Sequence, residues 1–222
     1  METNPVVVYA GTFNPIHYGH FEVAKEVQAQ QGRIGFQGVA DILFIPIHRS
    51  LLKKQILPLE MRVSMIKLSL KDEKNMSLLE LDKEGDVART HYDRLQSLRK
   101  MGINPSYWVI GSDAYFHKAV RLFRLDDIIN EGGKLLVMQR SGSYIQDTKI
   151  GCDGHPMSSI QSANIQSRVI LLNEPEKHRG ISSTQIRNLV VAGGDPSLLV
   201  PKSVIKYMKE HDLQEFYRSR GG

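Results

Sequence analysis

The sequence predicts an α/β protein with a Rossmann-like, doubly wound parallel sheet, helices on both faces of the sheet and a helical segment at the C-terminus. Two observations support this prediction. Short apolar runs rich in β-branched residues alternate with longer segments of helical period, and this alternation is typical of βαβ units. The 222 residues are also enough for one substantial hydrophobic core, so we expect residues 1–222 to form a single domain.

The predicted strands are short apolar runs. The first, residues 6–9, consists of three valines and a tyrosine and suits a buried strand. Strands are expected at residues 6–9, 42–45, 77–81, 107–110, 135–139 and 169–172.

The predicted helices lie between these strands and after the last one. In one of them Met61, Met65, Ile66 and Leu70 recur at near-helical spacing. Helices are expected at residues 19–31, 59–70, 87–101, 125–130, 184–192 and 202–210. Because strand and helix alternate, the strands should be parallel, with ligands bound beyond their carboxyl ends where the strand order reverses.

The segment 141–167 differs from the rest of the chain. Gly, Ser, Asp and Gln dominate it and apolar residues are few. We interpret it as a long, flexible surface insertion within the domain.

Composition and charge narrow the class of protein. The 29 basic residues exceed the 24 acidic ones by five, and this scattered excess suits anionic substrates better than nucleic acid. The single cysteine, Cys152, excludes an internal disulfide. Neither a signal sequence nor an apolar run of membrane-spanning length is evident. We therefore expect a protein of the cytoplasm, or also of the nucleus, without nucleic-acid or membrane partners; homo-oligomer formation stays open.

A first candidate site follows the first strand, at residues 11–20, which read Gly-Thr-Phe-Asn-Pro-Ile-His-Tyr-Gly-His. Gly11 lets the backbone approach a ligand closely. His17 and His20 are three residues apart at a helix start, so both can face one anion together with the free helix amides. The two imidazoles and the free amides form a socket suited to a triphosphate, and we expect Gly11, Thr12 and Phe13 to bind the ATP phosphates as well.

A second candidate site is the segment 181–187, Ile-Ser-Ser-Thr-Gln-Ile-Arg, which opens a helix near the C-terminus. Hydroxyls at a helix start are first of all caps, which accounts for one or two of Ser182, Ser183 and Thr184. Ser183 and Arg187 are four residues apart and share a helix face, so hydroxyl, amides and guanidinium can grip phosphates together.

Together the two segments resemble the signatures of the nicotinamide and nicotinate mononucleotide adenylyltransferases, within the nucleotidyltransferase superfamily. The resemblance spans about residues 9–213. It implies that His17 and His20 contact the ATP phosphates, with His20 the more important in the transition state. It further implies a lysine that reaches the phosphates, for which Lys53 is the best match and Lys54 the alternative.

Other positions match the family less completely. Arg62 fits a family arginine of uncertain role. Gly111 and Asp113 resemble a family Gly-x-Asp whose carboxylate bonds ribose hydroxyls; an N-cap for the next helix is the competing interpretation of Asp113.

The pyridine pocket departs from the family pattern. The family often stacks a tryptophan on the pyridine ring, but Trp108, the only tryptophan here, lies within a predicted strand and suits the core. His91 stands where the family has a pocket threonine, with Thr90 beside it. Residues that could supply the remaining contacts are Phe116, Arg121 and Phe123.

The resemblance implies transfer of AMP from ATP to a pyridine mononucleotide, which forms NAD or its deamido form and releases pyrophosphate (EC 2.7.7 class). Mg²⁺ would be held mainly by the ATP phosphates, with no metal ligand from protein side chains. His17, His20, Lys53 and Arg187 would stabilise the leaving pyrophosphate. The alternatives are another phosphorylated acceptor, such as pantetheine phosphate, or a catalytically silent nucleotide-binding module.

Overall fold

A computed structural model describes residues 4–36, 38–49, 56–83, 89–115, 124–139 and 167–219. Its centre is a six-stranded parallel sheet in the order β3-β2-β1-β4-β5-β6. The strands are β1 Val6–Gly11, β2 Asp41–Pro46, β3 Met76–Leu78, β4 Tyr107–Gly111, β5 Lys134–Met138 and β6 Val169–Leu172. The order confirms the predicted doubly wound Rossmann-like sheet.

Helices connect the strands and complete the C-terminus. Those in the described residues are α1 Tyr18–Ala29, α2 Gln31–Ile34, α3 Leu59–Leu70, α4 His91–Lys100, α5 Ser112–Tyr115, α6 Leu125–Asn130, α7 Ser183–Val191, α8 Lys202–Glu210 and α9 Leu213–Ser219. The predicted C-terminal helical segment is therefore present. The sequence reasoning missed α2, α5 and α9, of which α2 and α5 are too short to show a helical period.

Two predicted boundaries differ from the structure by three or more residues. The helix expected from residue 87 begins at His91, because the Thr90 hydroxyl accepts a hydrogen bond from the Asp93 amide (3.0 Å) while the Asp93 carboxylate accepts from the Thr90 amide (2.8 Å). This reciprocal capping fixes the helix start. The third strand ends at Leu78 and not at residue 81, because its pairing with β2 stops at Phe44.

Consecutive strand residues face opposite sides of the sheet and build two cores. On one side Val7, Tyr9 and Val109 pack with apolar residues of α1, α3 and the C-terminal helices. On the other side Val8 and Trp108 pack with α4 and α6. Helices thus cover both faces, as expected, and Trp108, with no exposed surface, is a core residue.

The strand order reverses between β1 and β4. Both strands pair in parallel, and the connections from them lead to opposite faces of the sheet. This separates the loops that follow Gly11 and Gly111 and opens a crevice beyond them. The predicted insertion lies outside the described residues, apart from residue 167. Within the described ranges, every helix is too short or too polar to cross a bilayer.

Candidate active site

A cavity of about 320 Å³ lies in the crevice at the carboxyl ends of β1 and β4. Both motif segments line it, together with residues of the β4–α5 turn and the start of α4. The predicted site residues on its wall are Gly11, Thr12, Phe13, His17, His20, His91, Gly111, Asp113, Ser182, Ser183 and Thr184. Most of the predicted site residues therefore line one cavity.

Two hydrogen bonds join the distant motifs directly. The buried Ser183 hydroxyl donates to the Pro15 carbonyl (3.0 Å), across 168 residues of sequence. Arg187 donates from Nη1 to the Asn14 carbonyl (3.0 Å) and from Nη2 to the Thr184 hydroxyl (3.1 Å). Arg187 and Ser183 thus hold the strand–helix loop against the start of α7.

The three consecutive hydroxyls have different contacts. Ser182 is the N-cap of α7 and accepts from the Gln185 amide (3.1 Å), so the capping interpretation holds for this residue. The Ser183 hydroxyl bridges the motifs, and the Thr184 hydroxyl contacts the guanidinium of Arg187. Ser183 and Arg187 both contact the loop after β1; their joint grip on phosphates stays a prediction.

The side chain of Arg187 is partly withdrawn from solvent beside the cavity. Burial lowers the pKa of its guanidinium, and the phenol of the nearby Tyr217 partly opposes this shift. A desolvated positive charge attracts phosphate oxygens more strongly than one surrounded by water.

The histidine pair forms a compact, buried unit at the start of α1. The ring centroids of His17 and His20 are 3.7 Å apart, and the His17 amide donates to Nδ1 of His20 (3.1 Å). Because Nδ1 of His20 accepts, the neutral ring carries its proton on Nε2. Nε2 is then the nitrogen of this ring that can donate a hydrogen bond.

Gly19 and Phe13 shape the space around these rings. A Cβ on Gly19 would lie 3.0 Å from Nδ1 of His17, so the glycine lets the His17 ring fold over the helix start. Phe13 packs edge-on against His20 (5.0 Å between centroids) with a positive φ of 46°. The buried aromatic ring limits the orientations open to His20.

Arg62 does not line the cavity but supports the loops around it through backbone contacts. It is fully buried and donates to the carbonyls of Thr12 (2.8 Å), Ile47 (2.7 Å) and Leu57 (2.9 Å). Its contacts are therefore those of a scaffold that fixes the loop after β1, which resolves the role that the sequence left uncertain.

Asp113 lies at the mouth of the cavity, exposed, in the first turn of α5. The helix begins at Ser112, one residue earlier, so Asp113 is not its N-cap and that alternative is wrong. Gly111 ends β4 beside it and also lines the cavity.

The other end of the cavity contains His91 but not Thr90, whose hydroxyl donates to Asp93 (2.8 Å) within the helix cap. The His91 ring packs edge-on against Trp108. Burial, with a smaller contribution from the Arg94 charge, lowers the pKa of His91 to about 3, so this imidazole is neutral at physiological pH. Five predicted contacts lie outside the described residues, namely Lys53, Lys54, Phe116, Arg121 and Phe123.

Sequence reasoning missed a buried ion pair near this end of the cavity. Asp82 and Arg94 are each 2% exposed, and Nη2 of Arg94 lies 2.5 Å from the Asp82 carboxylate. The two residues are twelve apart, Asp82 in the segment after β3 and Arg94 in α4, and no local pattern in the sequence links them. The described part of the chain contains no group of three His, Cys, Asp or Glu side chains arranged to hold a metal ion.

The strand order, the crevice and the paired histidine and hydroxyl segments define a Rossmann-like enzyme of the nucleotidyltransferase class. The chain belongs to the cytidylyltransferase-like family, whose model matches residues 8–189.

Individual relatives agree with this assignment. A probable nicotinate-nucleotide adenylyltransferase from Dehalococcoides mccartyi (strain CBDB1) is 30% identical over 93% of this chain and 95% of its own. One from Hahella chejuensis is 28% identical over 96% of each chain. The fold is similar to that of the Plasmodium falciparum nicotinic acid mononucleotide adenylyltransferase complexed with NaAD, with a TM-score of 0.65, 17% identity and coverage of 96% of this chain and 98% of that one. The resemblance drawn from the two motifs is thereby confirmed.

Proposed function

We propose that this protein transfers AMP from ATP to nicotinate mononucleotide, forming the deamido form of NAD and pyrophosphate. The observation that carries the proposal is the contact of the two motif segments around one cavity, through Ser183 with Pro15 and Arg187 with Asn14. The names of the relatives support the nicotinate acceptor; nicotinamide mononucleotide is the second acceptor to be tested.

The reaction needs positioning more than covalent chemistry. A phosphate oxygen of the mononucleotide attacks the α-phosphorus of ATP in line, and the bond from that phosphorus to the bridging oxygen of pyrophosphate breaks. Negative charge grows on the leaving group. We assign its stabilisation to His17, His20 and Arg187, aided by the amides at the starts of α1 and α7. Lys53 is proposed to join them.

The acceptor would occupy the end of the cavity near His91. His91 is neutral at physiological pH and therefore adds no positive charge at this end of the cavity. We assign Asp113 to a ribose hydroxyl. Mg²⁺ would neutralise phosphate charge and would be bound by the ATP phosphates and water, because the described side chains contain no metal cluster.

The test is to incubate the protein with ATP and Mg²⁺ and one of three acceptors: nicotinate mononucleotide, nicotinamide mononucleotide or phosphopantetheine. Pyrophosphate release and the dinucleotide are measured together by a coupled assay and chromatography. We expect the highest kcat/KM with nicotinate mononucleotide. A higher value with nicotinamide mononucleotide would reverse the acceptor assignment. Turnover with phosphopantetheine alone, or ATP binding without turnover, would refute the proposal.

A further inference from the structure

A buried carboxylate outside the cavity connects two segments whose further contacts reach residues of the cavity wall. Oδ2 of Asp82, just beyond β3, accepts from the His48 amide (3.0 Å) and from the Arg94 guanidinium. All three residues are buried. Asp82 therefore connects the loop after β2 with helix α4.

From Asp82 the contacts extend to the start of α4. Nη1 of Arg94 donates to the carbonyls of Arg89 (2.8 Å) and Thr90 (3.1 Å). These carbonyls immediately precede His91, which lines the cavity. The orientation of the helix start therefore depends on where Asp82 holds the guanidinium.

In the other direction the contacts extend to the loop after β1. Arg62 donates to the His48 carbonyl (3.2 Å) as well as to the Thr12 carbonyl (2.8 Å). The peptide groups of His48 thus lie between two buried arginines, with Asp82 bonded to the amide and Arg62 to the carbonyl. Thr12 and His91, at the two ends of this network, both line the cavity.

We propose that Asp82 is a positioning residue for the transfer reaction, because it sets the spacing between the phosphate-binding loop and the helix start that faces the acceptor. The inference rests on the proposed function. Reacting groups must be held at near-contact distance for in-line attack, so a small displacement of one wall reduces the rate without removing a contact to substrate. Buried charged networks maintain such spacing because breaking one member leaves the other charge uncompensated.

Asp82→Asn tests the proposal. The amide keeps an acceptor for the His48 amide but removes the charge that holds Arg94. We expect KM for the mononucleotide to rise about tenfold and kcat to fall, while KM for ATP changes by less than about twofold, because the contacts of Ser183 and Arg187 do not involve Asp82. A purely structural role would reduce the folded fraction, and so kcat, and leave both KM values unchanged.

Glu80→Gln is the matched control. Glu80 lies two residues away in the same segment, and its exposed side chain forms an ion pair with the exposed Lys67. We expect it to behave like the wild type. Arg94→Lys is the second variant: it keeps a charge for Asp82, but a single ammonium cannot reproduce the fork that also reaches Arg89 and Thr90. For Arg94→Lys we again expect a higher KM for the mononucleotide and a nearly unchanged KM for ATP. We also expect this variant to be more stable than Asp82→Asn.

Hydrogen exchange does not depend on turnover, so it can test the positioning role of Asp82 even if the proposed function is wrong. Hydrogen exchange of peptides covering residues 89–95 should accelerate about tenfold in Asp82→Asn, while peptides of α7 keep their wild-type rates. An inactive wild type would refute the proposed function alone, and the exchange result would still decide the positioning role. Wild-type KM values in a folded Asp82→Asn or Arg94→Lys variant, or unchanged exchange at residues 89–95, would overturn the inference.

Discussion

The hydroxyl of Ser183 donates a hydrogen bond to the carbonyl of Pro15, and both groups are buried beside the cavity. This bond and the contact of Arg187 with Asn14 connect the first and last strand–helix transitions of the chain. The proposed phosphate socket therefore exists only in the folded protein, because the side chains of the second segment hold the backbone carbonyls of the first.

Ser183→Ala removes this connection. The Pro15 carbonyl would remain buried without its donor, so we expect a loss of about 1–2 kcal/mol in the free energy of unfolding and an increase in KM for ATP. Ser203→Ala on α8, where the hydroxyl is exposed and 3.4 Å from its acceptor, is the control. Chemical denaturation and steady-state kinetics measure both effects. Equal stability of the two variants would contradict the bridging role.

His20→Asn distinguishes the roles of the two ring nitrogens of His20. The amide oxygen can replace Nδ1 as the acceptor for the His17 amide, but it offers nothing at the position of Nε2. We expect near-wild-type thermal stability and a fall in kcat of about 10²–10³-fold, comparable to the loss of one transition-state donor. Turnover close to that of the wild type would remove His20 from the mechanism.

Gly19→Ala tests the space needed by the other histidine. The new methyl group would lie 3.0 Å from Nδ1 of His17, so the ring must move. We expect kcat to fall by at least about tenfold through misplacement of the imidazole. Gly32→Ala, in helix α2 with nothing within 4 Å of the added carbon, should leave kcat unchanged. If both variants keep full activity, the position of the His17 ring does not affect the reaction rate.

The depressed pKa of His91 makes stability depend on pH. The folded protein resists protonation of this ring until about pH 3, whereas the unfolded chain takes up the proton near pH 6.5. The unfolded state therefore binds more protons between these values, and stability falls as the pH is lowered from 6.5. From pH 6.5 to pH 5 we expect His91 to account for about 1–2 kcal/mol of lost stability.

His91→Gln checks this assignment, because glutamine can hydrogen-bond but does not titrate. Urea denaturation at several pH values should show a shallower acid-side decline for the variant. Identical pH profiles of the two proteins would show that another group causes the decline.

Much of the fold follows from local patterns in the sequence. Apolar runs alternating with helical segments predicted the parallel sheet, and the positions of both motifs after predicted strands indicated a shared site. The errors in the predicted elements lie where the hydrophobic period is too short to detect, or where a side-chain contact fixes the end of a helix. The Thr90–Asp93 cap delays the start of α4, and α5 has four residues, too few to show a period.

The sequence by itself determined the class of fold, the two motif segments that line the cavity and the burial of Trp108, because periodicity and motif composition are local properties of the chain. Only the tertiary structure decided that Ser183 bonds to Pro15, that Arg62 is a scaffold, and that Asp82 pairs with Arg94. These contacts join residues that are 12 to 168 positions apart in the sequence. Their geometry depends on the order of the strands in the sheet. That order is not specified by the residues adjacent in sequence to each contact.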